Sequence, residues 1–367
     1  MKGSAKRDYP ASISYQSPWY KEYPYIEDHF ARLNTALTRG KPVVRVGVIH
    51  PIESYWLHFG PSENTAAIRS QMEESFENTI NWLLFGTIDF DFISEALLPE
   101  QYGGCDNKKL SVGQMQYEVI LVSGCETLRS STVKILKEFV KNGGKVIFVG
   151  DMPKYTDVRP SDEICALYHA AEHADMNRIS VLEKLSDVRT VSIKNADASP
   201  SDNLIYQMRE DGDVKWLFIA HAKKPPFTDN QNPQKIIIQI SGEYEPVIYD
   251  TMDGSIKPVE FELKDGCTVV KYTLYTNDSL LLQLKKPDIQ KYIPEQKSDV
   301  VSNEIRIMNT VEAIREEPNV YLLDMAQYSL DGGKTYADTE ELLMIDEKIR
   351  KELGYPMADG NDTQPWT

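Results

Sequence analysis

The sequence predicts an α/β doubly wound parallel sheet of flavodoxin-like layout, followed by an antiparallel β-sandwich. Three observations carry that expectation. From Pro42 to Leu185, short Val/Ile-rich runs alternate with longer helical stretches, an order that a parallel sheet under helices satisfies most economically. The first run, Val43–Ile49, lacks polar alternation and therefore reads as buried on both faces. Beyond Asp187 the pattern switches to eight short runs rich in Val, Ile, Tyr and Thr. Asp211-Gly212, Asp253-Gly254, Asp265-Gly266 and Asn277-Asp278 punctuate them, all of them hairpin-turn dipeptides.

Taken in order, residues 14–40 open with two X-Pro steps, Ser17-Pro18 and Tyr23-Pro24, which predict an extended start. A helix follows, with Phe30, Leu33 and Leu37 on one side and Gly40 as its stop. After the strand Val43–Ile49, a helix over Glu63–Leu84 repeats Ile68, Met72, Phe76, Ile80 and Leu84 on one face, which predicts a core-facing stripe. Strands are expected at Ile88–Ile93, Tyr117–Val122 and Lys145–Val149. Helices are expected at Ser130–Lys141, closed by Gly143-Gly144, and over Asp162–Leu185.

The antiparallel runs are Val188–Ile193, Leu204–Arg209, Val214–Ala220, Lys235–Ile240, Val247–Tyr249, Val259–Leu263, Thr268–Tyr275 and Leu280–Leu284. A polar linker, Pro287–Asn303, leads to strand-like runs at Glu304–Ile314 and Val320–Tyr328. The last helix begins at the capping-box pair Asp338 and Glu341 and ends at Gly354 and Pro356, before Gln364-Pro365-Trp366-Thr367. The domain boundaries read from this are 1–41, 42–186, 187–286 and 287–367.

The chain has 367 residues, 56 acidic against 40 basic, and a formal charge of −16. With no basic run to displace counterions, nucleic acid is not an expected partner, and neutral substrates fit better. Cys105, Cys125, Cys165 and Cys267 form no CxxC pair, so neither a disulfide framework nor a metal site is expected. No signal-peptide core and no bilayer-length apolar run is visible, which predicts a cytoplasmic protein without a membrane partner.

The loop His50–His58 lies where ligands gather in open α/β sheets, beyond a strand's carboxyl end. Its first turn is His50-Pro51-Ile52-Glu53, with proline where a pyrophosphate-binding glycine would stand, so no nucleotide cofactor is expected. Cys125, in Ser123-Gly124-Cys125-Glu126, sits between a strand and a helix, the place of a thiol nucleophile. The adjacent Glu126 would oppose thiolate formation. His169 and His173 stand four apart on an expected helix, without a third ligand.

A sugar site would use aromatic faces with carboxylates and imidazoles. Tyr15, Trp19, Tyr20, Tyr23 and Tyr25 supply the rings in the lead-in. His50, Glu53, Tyr55, Trp56 and His58 supply all three types in the loop, and interdomain packing would use the same residues. The residues singled out for substrate are His50, Glu53, Trp56, Trp19 and Tyr20. Catalytic carboxylates are not identifiable: Asp89, Asp91 and Asp324 are each explained by strand ends.

The segment SPWYKEYPYIEDHFARLNTALTRGKPVVRVGVIHPIESYWLHFGP resembles the junction, in large bacterial glycoside hydrolases, between the last helix of a (β/α)8 barrel and a flavodoxin-like domain. That organisation is found in family 42 β-galactosidases and, similarly, in family 106 α-L-rhamnosidases. LLFGTIDFDFISEALLP and YEVILVSGCETL resemble the middle domain of such enzymes, which is related to class I glutamine amidotransferases, lacks their nucleophile and helps assemble the oligomer. Asp151, in Gly150-Asp151-Met152-Pro153, stands where their cysteine would be.

The resemblance implies an internal fragment of a glycoside hydrolase, inactive alone, with 1–41 as a barrel remnant. It also implies a carbohydrate substrate in the whole enzyme and a homo-oligomer. VYLLDMAQYSLDGG through QPWT resembles the lead-in to a further β-module. Two other readings stand beside it: a self-contained carbohydrate-binding or oligomerisation module, and a thiol hydrolase using Cys125.

Overall fold

The computed structural model describes residues 19–226, 232–287 and 324–357. The expected strand Glu304–Ile314, the start of Val320–Tyr328, Tyr15 and the last four residues lie outside them. The chain falls into two compact units, Met1–Glu27 with Pro294–Thr367, and Asp28–Ile293.

The larger unit is mixed α/β. Five parallel strands, Val46–Ile49, Phe90–Ile93, Val119–Ser123, Lys145–Val149 and Glu172–Ala174, form one sheet. Counted along the chain, they lie side by side in the order 2-1-3-4-5. The central strands are buried on both faces, which explains their unbroken apolar sequences. One face sets Val46, Val48, Val119, Leu121, Ile147 and Val149 against Leu83, Val181 and Leu185. The other sets Ile49, Ile120, Val122 and Phe148 against Leu136, Phe139 and Leu167. Each fully buried aliphatic side chain contributes roughly 1.5–3 kcal/mol of transfer free energy.

The run Val43–Ile49 serves two sheets rather than one. Only Val46–Ile49 joins the parallel sheet, after Arg45 has turned aside to Glu118. Before it, Lys41–Pro42 pairs antiparallel with Arg209 and Glu210, and Val43 N–H donates to Met208 O.

The single helix expected over Asp162–Leu185 is two helices and a strand. Ser161 caps Asp162–Ala170 by accepting from Glu163 N–H. Glu172–Ala174 then pairs with Ile147–Val149, and Asn177 caps Arg178–Lys184 by accepting from Ser180 N–H. His169 and His173 therefore lie on different elements. His173 Nε2 meets Tyr168 O at 2.9 Å and its ring packs on Tyr168. A three-stranded antiparallel sheet, Tyr102–Asp106, Lys109–Val112 and Met115–Tyr117, fills a stretch for which no element was expected.

Two antiparallel sheets follow. One, of six strands, contains Leu204–Asp211, Val214–His221, Ser279–Lys285, Glu245–Tyr249 and Ile256–Pro258, with Lys41–Pro42 on its edge. The other contains Val191–Asn195, Gln234–Ser241, Cys267–Leu274 and Phe261–Lys264. Both contribute to one buried cluster, including Ile193, Met208, Leu217, Ile238, Val270 and Leu282. Asp265-Gly266 forms the expected two-residue turn, both residues at positive φ.

The helix Tyr23–Leu37 begins one residue before Pro24, whose missing N–H is harmless in a first turn, so Tyr23 is helical rather than extended. Its later part buries Leu33 and Ala36 beside Trp216 and Leu281 on the six-stranded sheet, and Arg32 donates to Thr251 O and Met252 O. In the smaller unit, Met325–Ala326 pairs with Glu340–Glu341. The last helix runs Leu342–Leu353 from an N-cap at Glu341 that makes no side-chain capping bond, so the Asp338–Glu341 capping box does not form. Gly354 ends it in the left-handed conformation.

At Gly144 a Cβ would stand 2.1 Å from the buried Phe139 ring. Gly144→Ala is therefore expected to cost about 1–3 kcal/mol, read as a lower urea midpoint at unchanged m-value.

Candidate functional site

Two surfaces of the larger unit concentrate chemistry, and both lie at the carboxyl ends of the parallel strands. The first is a set of polar links that tie the His50–His58 segment to the loop 123–129. Residues Ile52–Trp56 are a short helix rather than an open loop. Ser54, fully buried, accepts from the N–H groups of Glu126 and Thr127 at 2.9 and 3.1 Å and donates to Thr127 O. Glu53 Oε1 accepts from Arg129 Nε at 2.6 Å, and His58 Nε2 meets Glu126 Oε1 at 3.1 Å. Trp56 keeps 59% of its surface exposed.

Glu95, 3% exposed, stands beneath these links and accepts from Arg129 N–H at 2.8 Å, just before the helix Ser130–Lys141. A carboxylate suits the positive end of a helix. Burial nevertheless pushes the Glu95 carboxyl up to about 7, with the Glu53 charge adding to the effect. Cys125 lies close by. Its thiol is buried and its pKa pushed well up, first by desolvation and then by the Glu95 charge. That is the opposite of what a nucleophile needs. At the next strand end, Gly150 has φ +80° and Asp151 is exposed.

The second surface is a cavity of about 280 Å³ between the sheet and the helix Ser62–Phe85. His50 lies at its wall, in edge contact with Phe76 and Phe92 at centroid distances of 5.4 and 5.3 Å. The expected stripe, Ile68, Met72, Phe76, Ile80 and Leu84, is only partly buried, and Met72, Phe76 and Ile80 line the cavity; the buried residues of the helix are instead Thr79, Leu83 and Phe85. Helical spacing shows that these residues share a face; it does not show that the helix stands away from the sheet there.

The singled-out residues thus part company. His50 faces the apolar cavity, Glu53 is paired with Arg129, and Trp56 faces outward. Trp19 and Tyr20, in the smaller unit, are about half exposed, and Trp19 Nε1 donates to the Tyr23 hydroxyl. Asp91 accepts from the Tyr117 hydroxyl at 3.0 Å, and Asp89 is pushed up to about 6 by burial. Among the described residues, no three His, Cys, Asp or Glu side chains form a group that could hold a metal ion, and no helix is long and apolar enough to cross a membrane. Arg129 and Glu95 were not singled out by sequence; neither sits in a motif, and only the fold brings them together.

No family model and no curated protein matches the sequence. Among solved structures, a rhamnosidase from Novosphingobium sp. PP1Y superposes with a TM-score of 0.54 at 16% identity, over 89% of this chain and 29% of that one. A GH42 β-galactosidase from G. stearothermophilus gives 0.49 at 9% identity, over 74% and 45%. A β-galactosidase from Bacillus circulans sp. alkalophilus gives 0.47 at 9%, over 73% and 45%. The likeness is one of fold, and the chain spans less than a third of the rhamnosidase.

Because the carboxyl of Glu95 is raised on folding, its contribution is fully present below its ordinary value of 4.5 and is lost as pH rises through about 7. Glu95→Gln is expected to stabilise the protein at pH 8 by up to about 3 kcal/mol and to leave it little changed at pH 4. Urea unfolding at both pH values measures this. A slope of the same sign from Asp89 remains in the variant.

Proposed function

We propose that this chain is the scaffold and assembly region of a multidomain glycoside hydrolase acting on neutral sugars. The observation that carries the reading is the superposition of 89% of the chain on a rhamnosidase. In this reading, the five-stranded sheet is a flavodoxin-like, amidotransferase-like domain without a nucleophile. Its strand order, 2-1-3-4-5, is that of doubly wound flavodoxin-like sheets. The buried Cys125 and the exposed Asp151 at the two strand ends support the lost nucleophile. The two antiparallel sheets with their common core are the sandwich that follows.

The catalytic acids then belong to a barrel outside this sequence, and residues 1–41 are its remnant. Trp56 offers an outward ring face that could stack on a sugar, and Trp19 and Tyr20 offer others. Glu53 acts through Arg129 in holding the segment that presents Trp56. The domain also contributes to a homo-oligomer, and the protein works in the cytoplasm on a carbohydrate, with no nucleic acid involved.

The test joins this chain to the barrel encoded in its natural reading frame and assays neutral aryl glycosides. The joined protein is expected to hydrolyse one of them, and the chain alone none. Trp56→Ala in the joined protein should lower kcat/KM by about tenfold, the yield of one stacking ring. Turnover by the chain alone, or Trp56→Ala kinetics equal to the parent, would refute the assignment. Sedimentation of the joined protein reads the assembly role: a monomer at micromolar concentration removes it.

A further inference from the structure

We propose that the cavity beside His50 is a binding site for a compact, uncharged molecule of one or two fused rings bearing a hydrogen-bond donor, such as an aromatic hydroxyl or N–H. The proposal does not depend on the glycoside-hydrolase reading, because it rests on the walls alone.

Those walls are apolar and aromatic. Val48, Phe90 and Phe92 rise from the sheet, and Met72, Phe76 and Ile80 descend from the helix. Phe76 and Phe92 lie 5.4 Å apart at a tilt of 32°, and His50 meets both edge-on. A flat ring placed against them gains ring-face and ring-edge contacts without moving the sheet. The volume, about 280 Å³, is roughly twice the cavity of about 150 Å³ that holds a benzene molecule in a well-studied protein. Two fused rings therefore match the space.

The polar groups at the wall are few and specific. Thr79 donates its hydroxyl proton to Ser75 O at 2.9 Å. In the buried Thr79–Ser123 pair, also 2.9 Å, Ser123 must then be the donor. Ser123 Oγ has no proton left to give and retains a lone pair, so it asks for a donor from the ligand. The His50 ring makes no hydrogen bond with any described residue. Burial lowers its pKa, so it stands as a neutral imidazole with one donor and one acceptor.

Charge and sugar are both disfavoured. No Lys or Arg lines the cavity, so an anion has no partner. The Glu73 carboxylate at the rim is engaged by the Tyr55 hydroxyl at 2.6 Å, and Arg69 stands beside that hydroxyl, which leaves little call for a further cation. A monosaccharide would bring several hydroxyls against the apolar walls of Val48, Phe76, Phe90 and Phe92, with His50 and Ser123 inside and Tyr55, Glu73 and Ser75 beside them as the few polar groups, and would leave hydroxyls unpaired.

The probe is 2-naphthol, titrated into the full chain carrying 13C-methyl methionine, with the Met72 signal assigned by Met72→Leu. The expected result is a saturable ring-current shift at Met72 with a Kd on the order of 100 µM, the ordinary yield of about eleven heavy atoms. Ser75→Phe, which puts a ring into the cavity, should weaken binding at least tenfold. Ser123→Ala, a variant that leaves Thr79 its bond to Ser75 O, should weaken 2-naphthol about fivefold and leave naphthalene unchanged. The proposal is overturned if the Met72 signal does not saturate up to about 2 mM probe. It is equally overturned if naphthalene-2-sulfonate or a methyl glycoside binds as tightly, or if both folded variants bind as the parent does.

Discussion

Three adjacent strands with no face in water govern the architecture of the larger unit. Val46–Ile49, Val119–Ser123 and Lys145–Val149 satisfy their backbones through one another and through the flanking strands Phe90–Ile93 and Glu172–Ala174, and their side chains pack against the helices on either side. Polar groups are thereby driven to the strand ends. Ser54, Glu95, Ser123, Glu126 and Arg129 collect at the carboxyl rim, and the three that are buried there, Ser54, Glu95 and Ser123, each have a hydrogen-bond partner. The rim is consequently where carboxylates are found close to a helix start, and where burial moves their titration.

That rim is braced rather than open. Ser54 alone holds three backbone groups of the facing loop, and the Glu53–Arg129 and His58–Glu126 pairs add two further ties. A segment rich in imidazole, carboxylate and aromatic side chains thus divides its labour. Its polar members fasten one loop to another, His50 turns to an apolar hollow, and Trp56 is left to the outside.

Much of the fold was legible because periodicity and turn chemistry are local. The helix Ser130–Lys141 and the strand Lys145–Val149 fall at their expected bounds, and the Asp-Gly turns mark the hairpins. What escaped was set by partners distant in sequence. Glu172–Ala174 has no strand-like composition and becomes a strand because the edge of Ile147–Val149 is vacant beside it. Val43 reads as the head of the strand Val43–Ile49, yet its N–H goes to Met208 O, and Pro42 before it pairs with Arg209. Of the site, the aromatic and imidazole content of His50–His58 was visible. The burial of Glu95, its bond to Arg129 N–H and the hollow under Met72 were not, since none has a signature in spacing.

The placement of Lys41–Pro42 has a bearing on how the larger unit can be divided. Two residues that precede the parallel sheet in the chain finish the border of an antiparallel sheet whose other strands come more than 160 positions later. Excision at the point where the α/β pattern ends would strip that border and uncover strand Leu204–Asp211, a raw margin open to pairing with strangers. Grafts or dissections of this protein should carry the stretch from Asp28 onward with the later sheets as a single inheritance.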